Sequence, residues 1–281
     1  MTARSVRIAH EARGARVHEI DVPLVGLGVY QSRPGRATRQ AVAWALEAGY
    51  RHIDTAALYR NEADVGAAIR ESALPRAGIH VTTKLWIDAR TEEDVRRAFE
   101  KSRRALGLEQ VDLYLVHAPV APGARRAVWR GMERLLGEGA VRAIGVSNFG
   151  ERHLTELFES AEVGPSMNQL ELHPWLQRRS LVDFCRARGI AITAYSPLTK
   201  GRRLGDARLA AIAARHGRSP AQVLVRWALE QGWVVIPKSV RQERVRENAA
   251  VADFTLDEAA LAEMSGWEEG LVTGWDPVSQ P

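Results

Sequence analysis

Hydrophobic and polar positions run along this chain in two alternating patterns. Short apolar runs recur at LVGLG (24–28), RHIDTA (51–56), IHVTTKLW (79–86), VDLYLVHA (111–118), VRAIGVSN (141–148), SMNQLEL (166–172), IAITAYSP (190–197) and WVVIPKS (233–239). Each has strand length, and several carry a continuous apolar stretch, as strands covered on both faces do. Between them lie longer stretches of helical period, among them TRQAVAWALEAG (38–49), TEEDVRRAFEKSRRALG (91–107) and HLTELFES (153–160). Gly49, Gly107, Gly139, Gly189 and Gly232 stand where helices of this pattern should end. Ahead of the repeats, VRIAH and RVHEIDVP flank EARGA and predict two short strands around a glycine-containing turn.

Eight strands alternating with helices, with no Pro/Gly/Ser-rich linker, predict a (β/α)8 (TIM) barrel. The prediction is one domain over residues 1–281, opened by a β-hairpin and closed by a tail. The competing arrangement, an open doubly wound sheet, usually carries a Gly-rich dinucleotide turn after its first strand. Here Gly26-Leu27-Gly28 is followed by Ser32 and Arg33 near the place of a third glycine, and no acidic ribose reader stands out. The pair reads instead as a tight turn of the barrel.

A barrel gathers its chemistry at the C-terminal ends of its strands. Asp54, Lys84, His117, Ser147, Asn148, Gln169, Tyr195 and Lys238 all fall at such ends. Core packing does not account for eight polar residues on one rim. Asp54, Lys84 and His117, with Tyr59 just beyond Asp54, form a plausible proton-donating set. A free phenol titrates near pH ~10. A neighbouring ammonium lowers that value, and a carboxylate can hold the ammonium in place. Such a tyrosine can protonate an oxygen at neutral pH, as reduction of a carbonyl requires.

Composition narrows the classes. The 281 residues are 46% hydrophobic and 26% charged, with net charge +5. The arginines lie along helical stretches among Asp and Glu, without interleaved aromatics, so nucleic acid is not the expected partner. Cys185 is the sole cysteine and sits in the amphipathic stretch LVDFCRARG, where it reads as a packed apolar residue. One cysteine allows no internal disulfide, and no window is apolar enough for a membrane span. The expectation is a cytoplasmic protein.

Taken alone, Asp54 reads as a helix cap, Tyr59 as a packed aromatic, Lys84 as a solvated strand end and His117 as a core histidine. Taken together with their surroundings they resemble the aldo-keto reductase family. GYRHIDTAALYRNE resembles the family segment carrying the catalytic Asp and Tyr, here Asp54 and Tyr59. TTKLW and DLYLVHAP resemble those carrying the catalytic Lys and His, here Lys84 and His117. IGVSNF, NQLELHP, YSPL and IPKSVRQERVREN resemble the cofactor segments, and the match runs from about Leu24 to about Phe254.

The resemblance implies direct hydride transfer from NADPH to an aldehyde or ketone, with no metal. Tyr59 would be the general acid, tuned by Lys84 and Asp54, with His117 orienting the carbonyl. Ser147, Asn148 and Gln169 would bind the carboxamide, Tyr195 would stack on the nicotinamide, and Ser196 and Leu198 would meet the pyrophosphate. Lys238 and Arg244 would read the 2′-phosphate, with Ser239 and Val240 beside them, and Glu247 and Asn248 would bind the adenine amine. Tyr30, Trp86 and Ala118 would line the substrate pocket. Ala118 stands where many relatives carry Trp, which predicts an opened wall. Trp267 and Trp275, in the tail, are expected either in the pocket or packed on the barrel. These features resemble the bacterial diketogluconate and methylglyoxal-type reductases, acting as monomers on small carbonyl compounds. An alternative is a cofactor-binding sensor or regulatory subunit with slow turnover. A third class, a hydrolase using paired carboxylates or a metal, lacks its usual motifs.

Overall fold

The computed structural model describes residues 5–12 and 15–280. Ten strands are formed among the described residues. They are β1 (Ser5–Ala12), β2 (Ala15–Pro23), β3 (Leu27–Gly28), β4 (His52–Asp54), β5 (His80–Leu85), β6 (Val111–Val116), β7 (Val141–Ser147), β8 (Met167–Glu171), β9 (Ala191–Tyr195) and β10 (Val234–Val235). The α-helices are α1 (Arg36–Glu47), α2 (Glu62–Glu71), α3 (Glu92–Leu106), α4 (Arg125–Gly137), α5 (Glu151–Phe158), α6 (Arg179–Arg186), α7 (Ala207–Arg215), α8 (Pro220–Glu230), α9 (Gln242–Ala249) and α10 (Glu258–Ser265).

Strands β3 to β10 form one parallel sheet in chain order. Its two ends meet. Val25 bridges Val235, the Val235 N–H donates to Leu24 O at 2.8 Å, and the Gly26 N–H donates to Val235 O at 2.9 Å. The sheet is therefore the expected (β/α)8 barrel. Its closing strands are much shorter than the apolar runs LVGLG and WVVIPKS, because only two residues of each keep regular ladder geometry. Gly26 and Gly28 lie at this seam. A Cβ on Gly26 would stand 2.6 Å from the His52 ring, and one on Gly28 would stand 2.9 Å from Ile236 O. The glycine pair thus serves close approach at the seam, on and just before strand β3 and not in the tight turn read from the sequence.

Helix α3 shows how the outer layer forms. Thr91 caps it by accepting the Asp94 N–H while Asp94 accepts the Thr91 N–H, and Gly107 ends it at φ 66°. Val95, Phe99, Ser102 and Leu106 fall on one face and are buried. The anticipated end glycines at 49, 139, 189 and 232 likewise adopt positive φ. The hairpin β1–β2 is antiparallel, and the turn expected at Arg13–Gly14 lies outside the described residues. Ile8, Ile20 and Val22 pack with Leu113, Ala143, Met167 and Val234, so the hairpin plugs the end of the barrel where the strands begin. The opposite end is left for the site. Among the described residues no helix is long and apolar enough to cross a membrane.

Candidate active site

Strands β4 and β5 place the first two groups side by side. Asp54 ends β4 and Lys84 lies near the end of β5, both fully or almost fully buried. The Lys84 ammonium donates to Asp54 Oδ1 at 2.5 Å and to Thr55 O at 2.8 Å, and reaches Tyr59 Oη at 3.5 Å. Three partners match its three protons. Tyr59 arrives on a single 3-10 turn, Ala57–Tyr59. The loop before it is held by Asn61, whose Nδ2 donates to Val29 O at 3.0 Å and whose Oδ1 accepts from the Thr55 hydroxyl at 2.8 Å. His117 follows β6 and packs edge-on against both Tyr59 (5.5 Å) and Trp86 (5.2 Å).

Burial dominates the electrostatics here. It lowers the Lys84 pKa, opposed by Asp54. It pushes the Tyr59 phenol well above its usual value, and the Asp54 charge adds to this. The expected lowering of Tyr59 by its ammonium neighbour is therefore reversed: Lys84 shares its charge with Asp54, and desolvation outweighs the remainder. Tyr59 is accordingly a protonated donor at neutral pH. Burial, then the Lys84 charge, hold His117 well below the usual imidazole range, so it is neutral at pH 7.

Strands β7, β8 and β9 bring a second group to the same rim. The Ser147 hydroxyl donates to Gln169 O at 2.9 Å, and the Asn148 amide donates to His117 O at 3.0 Å. Tyr195 donates its hydroxyl proton to Asn148 Oδ1 at 2.9 Å. Gln169 Nε2 donates to Asp54 Oδ2 at 2.7 Å, a link across the barrel that the sequence did not announce. Backbone strain gathers here as well. Gln31, Asn148, Ser196 and Lys200 adopt φ of 58°, 60°, 48° and 52° and all line one cavity. Such conformations cost about 1–3 kcal/mol each and persist where the surroundings over-determine them.

That cavity has a volume of about 580 Å³. Of the residues singled out from the sequence, all line it except Lys84, Ala118, Val240 and Trp267. Lys84 lies behind Asp54 and Tyr59. Ala118 is fully buried off the cavity, so no wall is opened there. Val240 is exposed beside the cavity. The tail tryptophans part company. Trp267 is buried and stacks on Trp175 at 5.3 Å, whereas Trp275 lines the cavity 6.3 Å from Trp86. The tail thus brings an indole to the pocket that the position after His117 does not supply. At the far end, Lys238 and Arg244 are exposed, and partial burial lowers the Lys238 pKa. Cys185 is buried away from this rim, and burial raises its thiol to about 11.

Sequence reading missed Gln31, Lys200, Ser219 and Ala221, which also line the cavity. Lys200 lies two residues after the YSPL motif, which was signal enough. Ser219 is the N-cap of α8 in a capping box with Gln222, which reads locally as a helix start only.

Amide groups joined to a buried Asp–Lys–Tyr cluster, with the Lys238 and Arg244 cations lining the same cavity, are a recognisable combination. The model of the aldo/keto reductase family matches residues 26–269. A 9,11-endoperoxide prostaglandin H2 reductase of Trypanosoma cruzi is 48% identical over 92% of this chain and 93% of its own length. A glyoxal reductase of Bacillus subtilis is 41% identical, with 92% and 93% covered. Among solved structures, an aldo-keto reductase from a Medee basin deep-sea metagenome library aligns with TM-score 0.90 at 39% identity, over 96% of both chains. A Bombyx mori aldo-keto reductase in complex with NADP aligns with TM-score 0.87 at 33% identity, over 97% of this chain and 95% of that one. Site and comparisons agree in their conclusion, and the chain belongs to the aldo/keto reductase family.

Proposed function

We propose that this protein reduces aldehydes or ketones to alcohols with NADPH, Tyr59 donating the proton. Family membership makes it an oxidoreductase acting on carbonyl groups with NAD(P)H. The observation supporting Tyr59 as the acid is the buried Lys84 ammonium, held between Asp54 and the Tyr59 hydroxyl.

The residues present fit the cofactor. Ser147, Asn148 and Gln169 offer the donors and acceptors a carboxamide needs, and the Tyr195 ring lies beside them. Lys238 and Arg244 suit a phosphate, which favours NADPH over NADH. Bound NADPH supplies the hydride. Reduction of a carbonyl would build negative charge on its oxygen, and the preorganised donors of this site would stabilise it. Tyr59 Oη passes its proton to that oxygen. Lys84 stabilises the phenolate left behind, and Asp54 keeps the lysine charged and aimed. Neutral His117 offers a ring nitrogen to the same oxygen and orients the carbonyl. Tyr30, Trp86 and Trp275 form aromatic walls. The B. subtilis relative is named for glyoxal, which makes α-dicarbonyl compounds the first substrates to offer this chain.

The test is NADPH consumption with methylglyoxal, a keto-sugar and an aromatic aldehyde, NADH alongside, for the wild type and Tyr59→Phe. Turnover preferring NADPH and lost in Tyr59→Phe is expected. Near-normal turnover in that variant would remove Tyr59 from the acid role. Tight NADPH binding without turnover of any carbonyl would overturn the reductase reading.

A further inference from the structure

The Asp54 carboxylate has two oxygens, and the structure divides them. Oδ1 takes the Lys84 ammonium at 2.5 Å, and Oδ2 takes the Gln169 amide at 2.7 Å. All three side chains are buried. An ionised carboxylate only accepts, so the amide orientation is set: Nε2 faces Asp54 and Oε1 faces elsewhere. Gln169 also lines the cavity, and its backbone carbonyl accepts from Ser147 Oγ and from the Asn148 N–H, both at 2.9 Å. One residue therefore touches the acid relay with its side chain and anchors the neighbouring amide group with its backbone.

We infer that Gln169 is a positioning residue for proton donation, holding Asp54 so that its other oxygen stays on Lys84. The inference rests on the reading of Asp54, Lys84 and Tyr59 as the acid relay. Two physical arguments support it. Rotation of the Asp54 carboxylate about its terminal torsion is broad and soft when unrestrained. A second donor on Oδ2 fixes that torsion and hence the aim of Oδ1. The same donor also disperses charge on Asp54. Asp54 pushes the Tyr59 phenol up. Removing the Gln169 donor leaves that carboxylate less compensated, so the phenol should rise further and give up its proton less readily. The link also joins the proposed carboxamide contact to the acid, so a change at Gln169 would be felt at Tyr59 through Asp54 and Lys84.

Gln169→Met keeps length and removes the donor, and Ser147→Ala perturbs the same amide group without touching Asp54. Two readouts are compared. The first is the pH profile of kcat with NADPH and methylglyoxal. The second is fluorine NMR titration of fluorotyrosine-labelled protein, with the Tyr59 resonance assigned by its loss in Tyr59→Phe. Fluorination brings the phenol titration into an accessible range.

In Gln169→Met, the basic limb and the Tyr59 titration should both move up by roughly 0.5–1 pH unit, with kcat reduced about tenfold. Ser147→Ala should weaken NADPH binding and leave both positions unmoved. An unmoved Tyr59 titration in folded Gln169→Met overturns the inference and leaves the reductase reading standing. A shifted titration in a protein that reduces no carbonyl upholds the link and overturns the reductase reading instead. Should Gln169→Met not fold, Gln169→Leu serves, because it also removes the donor and adds no charge. An unmoved Tyr59 titration in folded Gln169→Leu likewise overturns the inference.

Discussion

The two ends of the cavity are built on opposite principles. At the relay end, Asp54, Lys84 and Gln169 are buried and spend their hydrogen bonds on one another. At the end proposed to hold a phosphate, Lys238 and Arg244 stand exposed, on the loop after β10 and on α9. The difference follows from what each end is proposed to do. A proton must be given at one atom and at a tuned pKa, which needs fixed geometry and low dielectric. A phosphate needs only positive charge within reach, and cations left largely in solvent supply that at a smaller cost in desolvation than buried ones. The buried end should therefore be intolerant of single changes and insensitive to salt. The exposed end should tolerate change and weaken with salt.

The largest effect should come from Tyr59→Phe, with kcat falling about 10²–10⁴-fold while NADPH affinity, followed by fluorescence quenching, changes little. A fall in affinity matching the fall in rate would break the comparison, because the relay end would then be a binding surface. Asp54→Ala should come next, measured as stability. It leaves the Lys84 charge buried without its partner and should cost about 3–5 kcal/mol in urea unfolding. Replacing Asp54 and Lys84 together by Asn and Met should cost less than Asp54→Ala alone, which would sharpen the point that the pair is a unit.

Lys238→Ala and Arg244→Ala should each raise KM for NADPH about tenfold, leave KM for NADH nearly unchanged, and flatten the salt dependence of NADPH binding. Equal weakening of both cofactors would mean that these cations do not read a 2′-phosphate. Acid offers a further separation. His52 lies two residues before Asp54, is buried, and has its pKa lowered from 6.5 to about 4, chiefly by burial. The folded state holds it neutral, whereas the unfolded chain protonates it below about pH 6.5. Its contribution is complete above 6.5 and is lost as pH falls toward 4, at about 1.4 kcal/mol per unit. His52→Asn should flatten the fall in unfolding free energy across that window. The smallest effect should be that of Trp275→Ala, with kcat/KM changing by up to about tenfold between small and bulky carbonyls while kcat for methylglyoxal is retained.

Legibility followed the range of each interaction. Asp54, Tyr59, Lys84 and His117 could be named early because barrel strands deliver their last residues to one rim, whatever the details of packing. The direction of the Tyr59 shift could not be named, because it depends on how much water the fold removes. Ala118 and the tail tryptophans show the same limit. The family resemblance suggested that a missing indole after His117 would open the pocket. Across the fold, Ala118 is buried off the cavity, Trp275 lines the cavity, and Trp267 packs on Trp175.

The sequence by itself determined the repeating strand–helix order, the glycines that end the helices, the polar rim and the family. These rest on periodicity and on local backbone preference, which each segment carries within itself. Only the tertiary structure decided that Gln169 reaches Asp54 across the barrel, that Trp275 lines the pocket, and that burial holds Tyr59 protonated and His117 neutral. Those outcomes depend on distances between residues far apart in the chain and on exclusion of water from their midst, and no local pattern encodes either.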